Sequence, residues 1–152
     1  LQKAGVQVTE YDEAVRVKRE GPVCKCNVKT LPHPGFPTDM QPQITALLSV
    51  ADGTSIITEG VWDNRFAYTE QLRKMGADIQ VDGRVAVVSG VPALHAADIK
   101  AVDLRAGAAV VIAALMTEGT SEISDIRHIE RGYEEIISKL RDLGADIKKV
   151  EE

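Results

Sequence analysis

Apolar and polar residues alternate with a period of two in two short stretches near the start of the chain, 6–9 and 15–18. Such alternation is typical of strands with one buried face, and the acidic pair Asp12 and Glu13 between them suits a turn. The pattern therefore predicts a β-hairpin. A further short strand is predicted at 24–28, before a loop rich in proline.

Apolar residues at every third or fourth position mark the helices. We predict helices at 40–50, 66–75, 104–116 and 133–143 and strands at 54–58, 77–81, 85–88, 98–102, 120–124 and 145–150. Asp82 and Gly83 are typical of a hairpin turn. The helices 40–50 and 104–116 are the most apolar segments, so we expect the helices to pack inside and the strands outside.

The predicted elements follow the order strand, helix, strand, helix, strand, strand from residue 24 up to residue 88. The same order starts again at the strand 98–102, and the sequence also repeats. The residues LRKMGADI at 72–79 align with LRDLGADI at 140–147. We therefore expect the tail of a preceding unit at 1–20, a complete βαβαββ unit at 21–92, and a second unit at 93–152 without its last strand. Such units bury their apolar faces against one another. Because the chain starts inside a unit and without methionine, we expect it to be a piece of a longer protein, with a tendency to self-associate.

Composition agrees with a globular α+β (α/β) domain. Of 152 residues, 44% are hydrophobic and 27% are charged, and the net charge is −5. No basic stripe offsets this acidic balance, which argues against a nucleic-acid partner. The longest apolar run, 106–116, is too short to cross a bilayer, so we expect no membrane partner.

The cysteines Cys24 and Cys26 are the only two in the chain. On a strand, this spacing places both thiols on one face. A zinc site needs two more ligands, and no second pair lies nearby, so a reduced structural pair is favoured over a metal site.

The loop 31–41 contains three prolines and a glycine, which prevent regular structure until Thr38 and Asp39. A side-chain oxygen there suits the cap of the following helix. An acid is thereby fixed at a helix start.

Charged residues recur at equivalent places in the two units. Asp39 and Asp103 each precede the first helix, and Arg65 and Arg131 each precede the second. One interpretation is structural: the acids cap helices, and the arginines pair with neighbours such as Asp63 and Glu130. The other is functional, since arginine suits phosphate and carboxylate and an aspartate near a hydroxyl suits a general base.

Arg105 extends the functional interpretation. It lies in the first turn of its helix, where backbone amides already favour anions. The loop histidines His33 and His128 are assigned no role, because a single loop histidine is most often solvated.

Four motifs, at 34–41, 59–66, 103–108 and 128–134, resemble those of the UDP-N-acetylglucosamine 1-carboxyvinyltransferases in order and spacing. The resemblance covers almost the whole chain. It is more distant to 3-phosphoshikimate 1-carboxyvinyltransferase, a less favoured alternative that does not share the wording Pro-Thr-Asp-Met-Gln at 37–41.

The resemblance implies an inside-out α/β barrel of repeated βαβαββ units, two such domains in the full enzyme, and an active site between them. It implies transfer of enolpyruvate from phosphoenolpyruvate to the 3-hydroxyl of UDP-N-acetylglucosamine, with release of phosphate and without a cofactor. It further implies a cytoplasmic bacterial enzyme of peptidoglycan and cell-wall biogenesis, tied to cell shape, the cell cycle and division.

The same resemblance implies roles for individual residues. Asp39 binds the sugar hydroxyl and is the candidate base, and Val61 contacts the nucleotide sugar through its backbone. Arg131 holds phosphoenolpyruvate, Asp103 and Arg105 line the cleft, and Arg65 is a candidate for the sugar side.

The reactive cysteine of that family and its lysine-asparagine pair belong to motifs that this chain does not contain. Cys24 and Cys26 stand in a different motif. We therefore expect the chain alone to be inactive and to need the second domain as its partner. The alternative is a non-catalytic relative that retains nucleotide-sugar binding and serves in regulation.

Overall fold

The computed structural model describes residues 1–150. Its first elements are strands β1 (Gln7–Glu10), β2 (Val15–Lys18) and β3 (Val28–Lys29), helix α1 (Gln41–Leu48), strand β4 (Thr54–Thr58), helix α2 (Thr69–Lys74), and strands β5 (Asp78–Asp82) and β6 (Val85–Ser89). There follow strand β7 (Asp98–Lys100), helix α3 (Leu104–Leu115), strand β8 (Glu122–Ser124), and helices α4 (Arg127–Glu130) and α5 (Ile136–Asp142). Short 3₁₀ turns occupy Gln2–Ala4 and Thr38–Met40.

The strands form three sheets. The largest has the order β3-β4-β6-β5, in which β3 is parallel to β4 and the other neighbours are antiparallel. The predicted hairpin at the N-terminus is confirmed as β1-β2, and β7 pairs in parallel with β8. In both parallel pairs, the two strands end at the same edge, and the segments that follow carry the charged motifs.

The core lies around helices α1 and α3, which pack against each other. Small residues permit the close approach: Ala46 of α1 and Ala106, Val110 and Ala113 of α3 are fully buried. The strands cover this pair with one face and expose the other, so Ile57 is buried while Ile56 is 42% exposed. Helices inside and strands outside is the arrangement that the sequence predicted.

Helix α3 also has an exposed apolar side, which includes Ile112 and Leu115 and continues to Met116 directly after the helix. Within residues 1–150, no helix is both long and apolar enough to cross a membrane.

The predicted strand at 24–28 is wrong for most of its length. Only Val28 and Lys29 pair with β4, and Cys24 forms an isolated bridge with Asp52. Between them, side chains replace the backbone ladder: Cys26 N donates to Ser55 Oγ (3.2 Å), and the Asn27 Oδ1 accepts from Ile56 N (2.9 Å). The backbone of this segment is therefore satisfied without a regular strand.

The predicted strand at 145–150 is also wrong, since these residues have no regular structure. In the first unit, the equivalent strand β5 pairs only with β6. The described part of the second unit holds no strand equivalent to β6, and a strand forms only with a neighbour to accept its hydrogen bonds.

Candidate functional site

Asp39 lies in the 3₁₀ turn before α1, with its carboxylate directed at two arginines. Arg65 Nη2 donates to Oδ1 at 3.2 Å, and Arg105 Nη2 donates to Oδ2 at 2.7 Å. Neither Asp39 nor Thr38 caps the turn or the helix that follows. The helix-cap interpretation is therefore wrong for Asp39, and its carboxylate is used for charge pairing instead.

Asp103, the equivalent acid of the second unit, behaves in the opposite way. Its Oδ1 accepts a hydrogen bond from Ala106 N at 2.8 Å, which caps α3. The structural interpretation thus holds for Asp103. The cap fixes the first turn of α3, and the next residue but one, Arg105, is thereby directed toward Asp39.

The two arginines also determine the charge state of Asp39. The hydrogen bond from Arg105 is the largest influence and lowers the pKa of Asp39; burial opposes it, and the charges of both arginines lower the pKa further. The side chain of Asp39 remains 51% exposed. It is therefore an ionised, accessible hydrogen-bond acceptor held in one orientation.

A buried polar contact places the Arg65 segment beside the start of α1. The hydroxyl of Tyr68 lies 2.8 Å from Gln41 Oε1 and 2.8 Å from Thr45 Oγ1. Tyr68 is 1% exposed, and burial raises the pKa of its hydroxyl, which stays protonated. Arg65 is three residues before Tyr68 and so is held on the same side of the helix as Asp39.

Arg65 and Arg131 do not pair with the neighbours that the structural interpretation named. Asp63 pairs with Arg84, and Glu130 pairs with Lys149. Arg131 is exposed and forms no ion pair within residues 1–150.

Arg131 lies near the Asp39 cluster without joining it. Its neighbour Gly132 packs so closely on Leu104 that an added Cβ would lie 2.5 Å from Cδ1. Two residues along, Tyr133 interacts with Arg105. The structure thus unites Asp39, Arg65 and Arg105, and it places the segment that carries Arg131 against the start of α3.

Val61 lies in the loop 60–62, which follows β4. Val61 is 38% exposed and its neighbour Trp62 is 59% exposed. Both backbone amides of this pair donate to Glu59 Oε1, at 2.9 and 3.0 Å. Hence the amide of Val61 is already engaged within the chain.

Glu59 is a residue of this region to which the sequence analysis assigned no role. It is 1% exposed, yet its carboxylate accepts four hydrogen bonds, from Thr30, Thr38, Val61 and Trp62. Burial raises the pKa of Glu59, and these donors, led by the Trp62 amide, outweigh it and hold the pKa below its usual value. The available signal was an acid directly after a strand rich in threonine and isoleucine and directly before a glycine.

Chemically, this rim offers one accessible carboxylate and a set of arginines, which suits a ligand with a hydroxyl group and anionic groups. Within residues 1–150, no three His, Cys, Asp or Glu side chains are grouped to hold a metal ion. Both cysteines are free thiols.

Comparison with known families agrees with this geometry. Residues 1–140 match the EPSP synthase (3-phosphoshikimate 1-carboxyvinyltransferase) family. The chain belongs to the EPSP synthase family. Solved structures share its fold: the enolpyruvyl transferase NikO from Streptomyces tendae superposes with a TM-score of 0.88 at 31% identity, over 97% of this chain and 34% of that one. An EPSP synthase from Acinetobacter baumannii superposes with a TM-score of 0.67 at 18% identity, over 98% of this chain and 35% of that one. The family confirms the predicted α/β fold class.

The curated relatives that share about half of their residues with this chain are named UDP-N-acetylglucosamine 1-carboxyvinyltransferases. The chain is 53% identical over its full length to UDP-N-acetylglucosamine 1-carboxyvinyltransferase 3 of Caldanaerobacter subterraneus subsp. tengcongensis. It is 52% identical, over 97% of its length, to UDP-N-acetylglucosamine 1-carboxyvinyltransferase of Desulfofundulus thermocisternus. The chain spans 36% of the first relative and 60% of the second. These similarities confirm the resemblance found in the motifs and favour it over the shikimate alternative.

Proposed function

We propose that this chain forms part of an enolpyruvyl transferase that uses phosphoenolpyruvate and UDP-N-acetylglucosamine. The enolpyruvyl group passes to the 3-hydroxyl of the sugar, and phosphate is released. The observation that carries the proposal is the half-exposed Asp39 carboxylate, oriented by Arg65 and Arg105 from two different segments. The names of the relatives at 53% and 52% identity support this choice of substrates.

Asp39 is the proposed acceptor of the hydroxyl proton. The sugar oxygen adds to C2 of phosphoenolpyruvate as its proton passes to Asp39, while an acidic group of the second domain gives a proton to C3. A basic group of that domain then takes a proton from C3 as phosphate departs, which restores the double bond. The arginines that orient Asp39 also lower its basicity. Proton acceptance is therefore favoured when Arg105 turns from Asp39 toward an anionic group of the substrate.

The remaining residues bind and orient. Arg131, exposed and next to the cluster, holds the phosphoenolpyruvate anion together with Arg105. The carbonyl of Val61 and the guanidinium of Arg65 contact the nucleotide sugar. Asp103 acts through its cap on α3, which fixes the backbone position of Arg105 in the first turn of that helix.

The wider setting is part of the proposal. We infer the units 1–20, 21–92 and 93–152 as parts of one domain, with a second domain supplying the reactive cysteine and the lysine-asparagine pair. We place the enzyme in the bacterial cytoplasm, in peptidoglycan synthesis, where it serves cell-wall biogenesis, cell shape, the cell cycle and division.

Trp62 provides a direct test, because it is the only tryptophan and lies in the loop 60–62. We would titrate UDP-N-acetylglucosamine into the chain and follow Trp62 fluorescence, excited at the red edge where uridine does not absorb. Asp39→Ala should weaken binding by about tenfold, the effect of one charged hydrogen bond. The control Asp78→Ala removes an exposed acid of β5 and should bind as the native chain does.

A titration without saturation in the native chain contradicts binding of the nucleotide sugar by this part of the enzyme. Equal affinity in Asp39→Ala and the native chain contradicts the role of Asp39.

A further inference from the structure

The buried carboxylate of Glu59 joins two segments that lie apart in sequence. Its Oε2 accepts from Thr38 Oγ1 at 3.0 Å, directly before Asp39. Its Oε1 accepts from the amides of Val61 and Trp62. One side chain thereby contacts both the turn that carries Asp39 and the loop 60–62.

Glu59 is itself rigidly placed. It directly follows β4, and its own amide donates to the Arg84 carbonyl at 2.8 Å, which extends the pairing of β4 with β6. On the other side, Thr30 directly follows β3, and its amide donates to the Thr58 carbonyl at 2.9 Å. Both residues stand at the ends of neighbouring parallel strands, where the sheet fixes their positions.

Thr30 contacts both Glu59 and the loop 60–62. Its Oγ1 donates to Glu59 Oε1 at 2.7 Å and accepts from Gly60 N at 2.8 Å. The loop 60–62 therefore has each of its three backbone amides directed at the Thr30 and Glu59 pair. A glutamine at 59 keeps one acceptor oxygen and replaces the other with an NH2 donor, so the charge-assisted hydrogen bonds of Glu59 become weaker neutral ones and hold the loop and the turn together less tightly.

We propose that Glu59 is a positioning residue: its carboxylate fixes the loop 60–62 and the Thr38–Met40 turn in one mutual arrangement, in which contacts from both reach the nucleotide sugar. The statement about the nucleotide sugar rests on the proposed function. The statement about the two segments rests on the hydrogen bonds alone. Glu59 acts through Thr38, Val61 and Trp62 and does not itself touch substrate, because it is 1% exposed.

The test measures amide hydrogen exchange and nucleotide-sugar affinity in Glu59→Gln. The glutamine keeps the shape of the side chain and one acceptor oxygen, and it removes the charge. We expect faster exchange at Val61 and Trp62 by about tenfold, and affinity for UDP-N-acetylglucosamine lower by a similar factor. Asp39→Ala should weaken binding while exchange at Val61 and Trp62 remains native, which separates positioning from contact.

Two further variants keep the test decisive. Ser55→Ala removes another buried acceptor of a backbone amide from β4, far from the loop 60–62; it should lower stability and leave both readouts unchanged. Thr38→Val removes only the turn contact of Glu59, and Thr38→Ser restores it. Thr38→Val should therefore weaken binding and Thr38→Ser should recover it, even if Glu59→Gln does not fold.

Each outcome decides between the proposals. If the native chain binds and both Glu59→Gln and Thr38→Val bind equally well, the positioning role is wrong. If the native chain does not bind but Glu59→Gln accelerates exchange at Val61 and Trp62, positioning of the loop stands while the proposed function fails. Native exchange in a folded Glu59→Gln overturns the positioning role whether or not the sugar binds.

Discussion

Arg105 contacts Asp39 at 2.7 Å although 66 positions separate the two residues in the chain. The contact joins the start of α3 to the turn before α1, at one end of the packed pair of helices. It also uses an acid and an arginine from different repeats, so neither repeat alone forms the cluster.

The first prediction concerns the charge of Asp39. Replacing Arg105 with methionine should raise the pKa of Asp39 more than replacing Arg65 does, because the Arg105 hydrogen bond is the largest influence on it. Carboxyl carbon NMR of Asp39 across an acid titration measures this directly. Arg84→Met, which breaks the pair with Asp63, is the matched control and should leave Asp39 unchanged. Equal pKa shifts of Asp39 in the Arg65 and Arg105 variants would contradict the larger influence of Arg105.

The second prediction concerns acid stability. The pKa of Glu59 is lowered in the folded chain, so the unfolded chain binds the proton more readily. Glu59 therefore stabilises the fold at pH values above the ordinary glutamate pKa of about 4.3, and this contribution is lost as the pH falls toward the lowered folded-state value. Urea unfolding of Glu59→Gln should show a lower free energy of unfolding at neutral pH and a shallower loss in acid. Parallel pH profiles for both proteins would contradict the argument.

The third prediction concerns the buried hydroxyl of Tyr68. Tyr68→Phe leaves Gln41 and Thr45 without that partner and should lower the free energy of unfolding by about 1–3 kcal/mol. Tyr11→Phe changes an exposed ring and should have an effect within about 0.5 kcal/mol. Urea unfolding compares the two. A similar effect for both would show that the Tyr68 hydroxyl does not stabilise the fold.

The fourth prediction concerns the close approach at Gly60. A Cβ at Gly60 would lie 2.3 Å from the Thr30 carbonyl oxygen, and this backbone atom has little room to move. Gly60→Ala should therefore displace the loop 60–62 and destabilise the fold by about 1–3 kcal/mol. Gly21→Ala has open space around its Cβ and is the control. Native stability and native Trp62 fluorescence in Gly60→Ala would contradict the prediction.

Sequence patterns predicted the elements well wherever the local pattern matched the local hydrogen bonding. The four predicted helices and the strands β4, β5 and β6 are present, although α2 and α5 begin at Thr69 and Ile136 rather than at 66 and 133. The segment 24–28 was misread because Ser55 and Asn27 side chains replace a ladder that the alternation implied. No local sequence pattern shows that side chains will take the place of backbone hydrogen bonds there.

The sequence indicated which charged residues recur at equivalent places, but it did not predict how their side chains pair. Asp39 and Asp103 occupy equivalent places, yet one pairs with arginines and the other caps a helix. That difference depends on where Arg105 lies in space. Glu59 was missed for the same reason, because its four donors come from three separate segments.

The most direct test of the central claim is an NMR titration of UDP-N-acetylglucosamine into the native chain and into Asp39→Ala. If this chain carries the nucleotide-sugar site, amide shifts will concentrate at 38–41 and 60–65 in the native chain and disappear in the variant. Shifts that concentrate elsewhere, or that persist at those positions in Asp39→Ala, would contradict the assignment of the site to Asp39 and the loop 60–62.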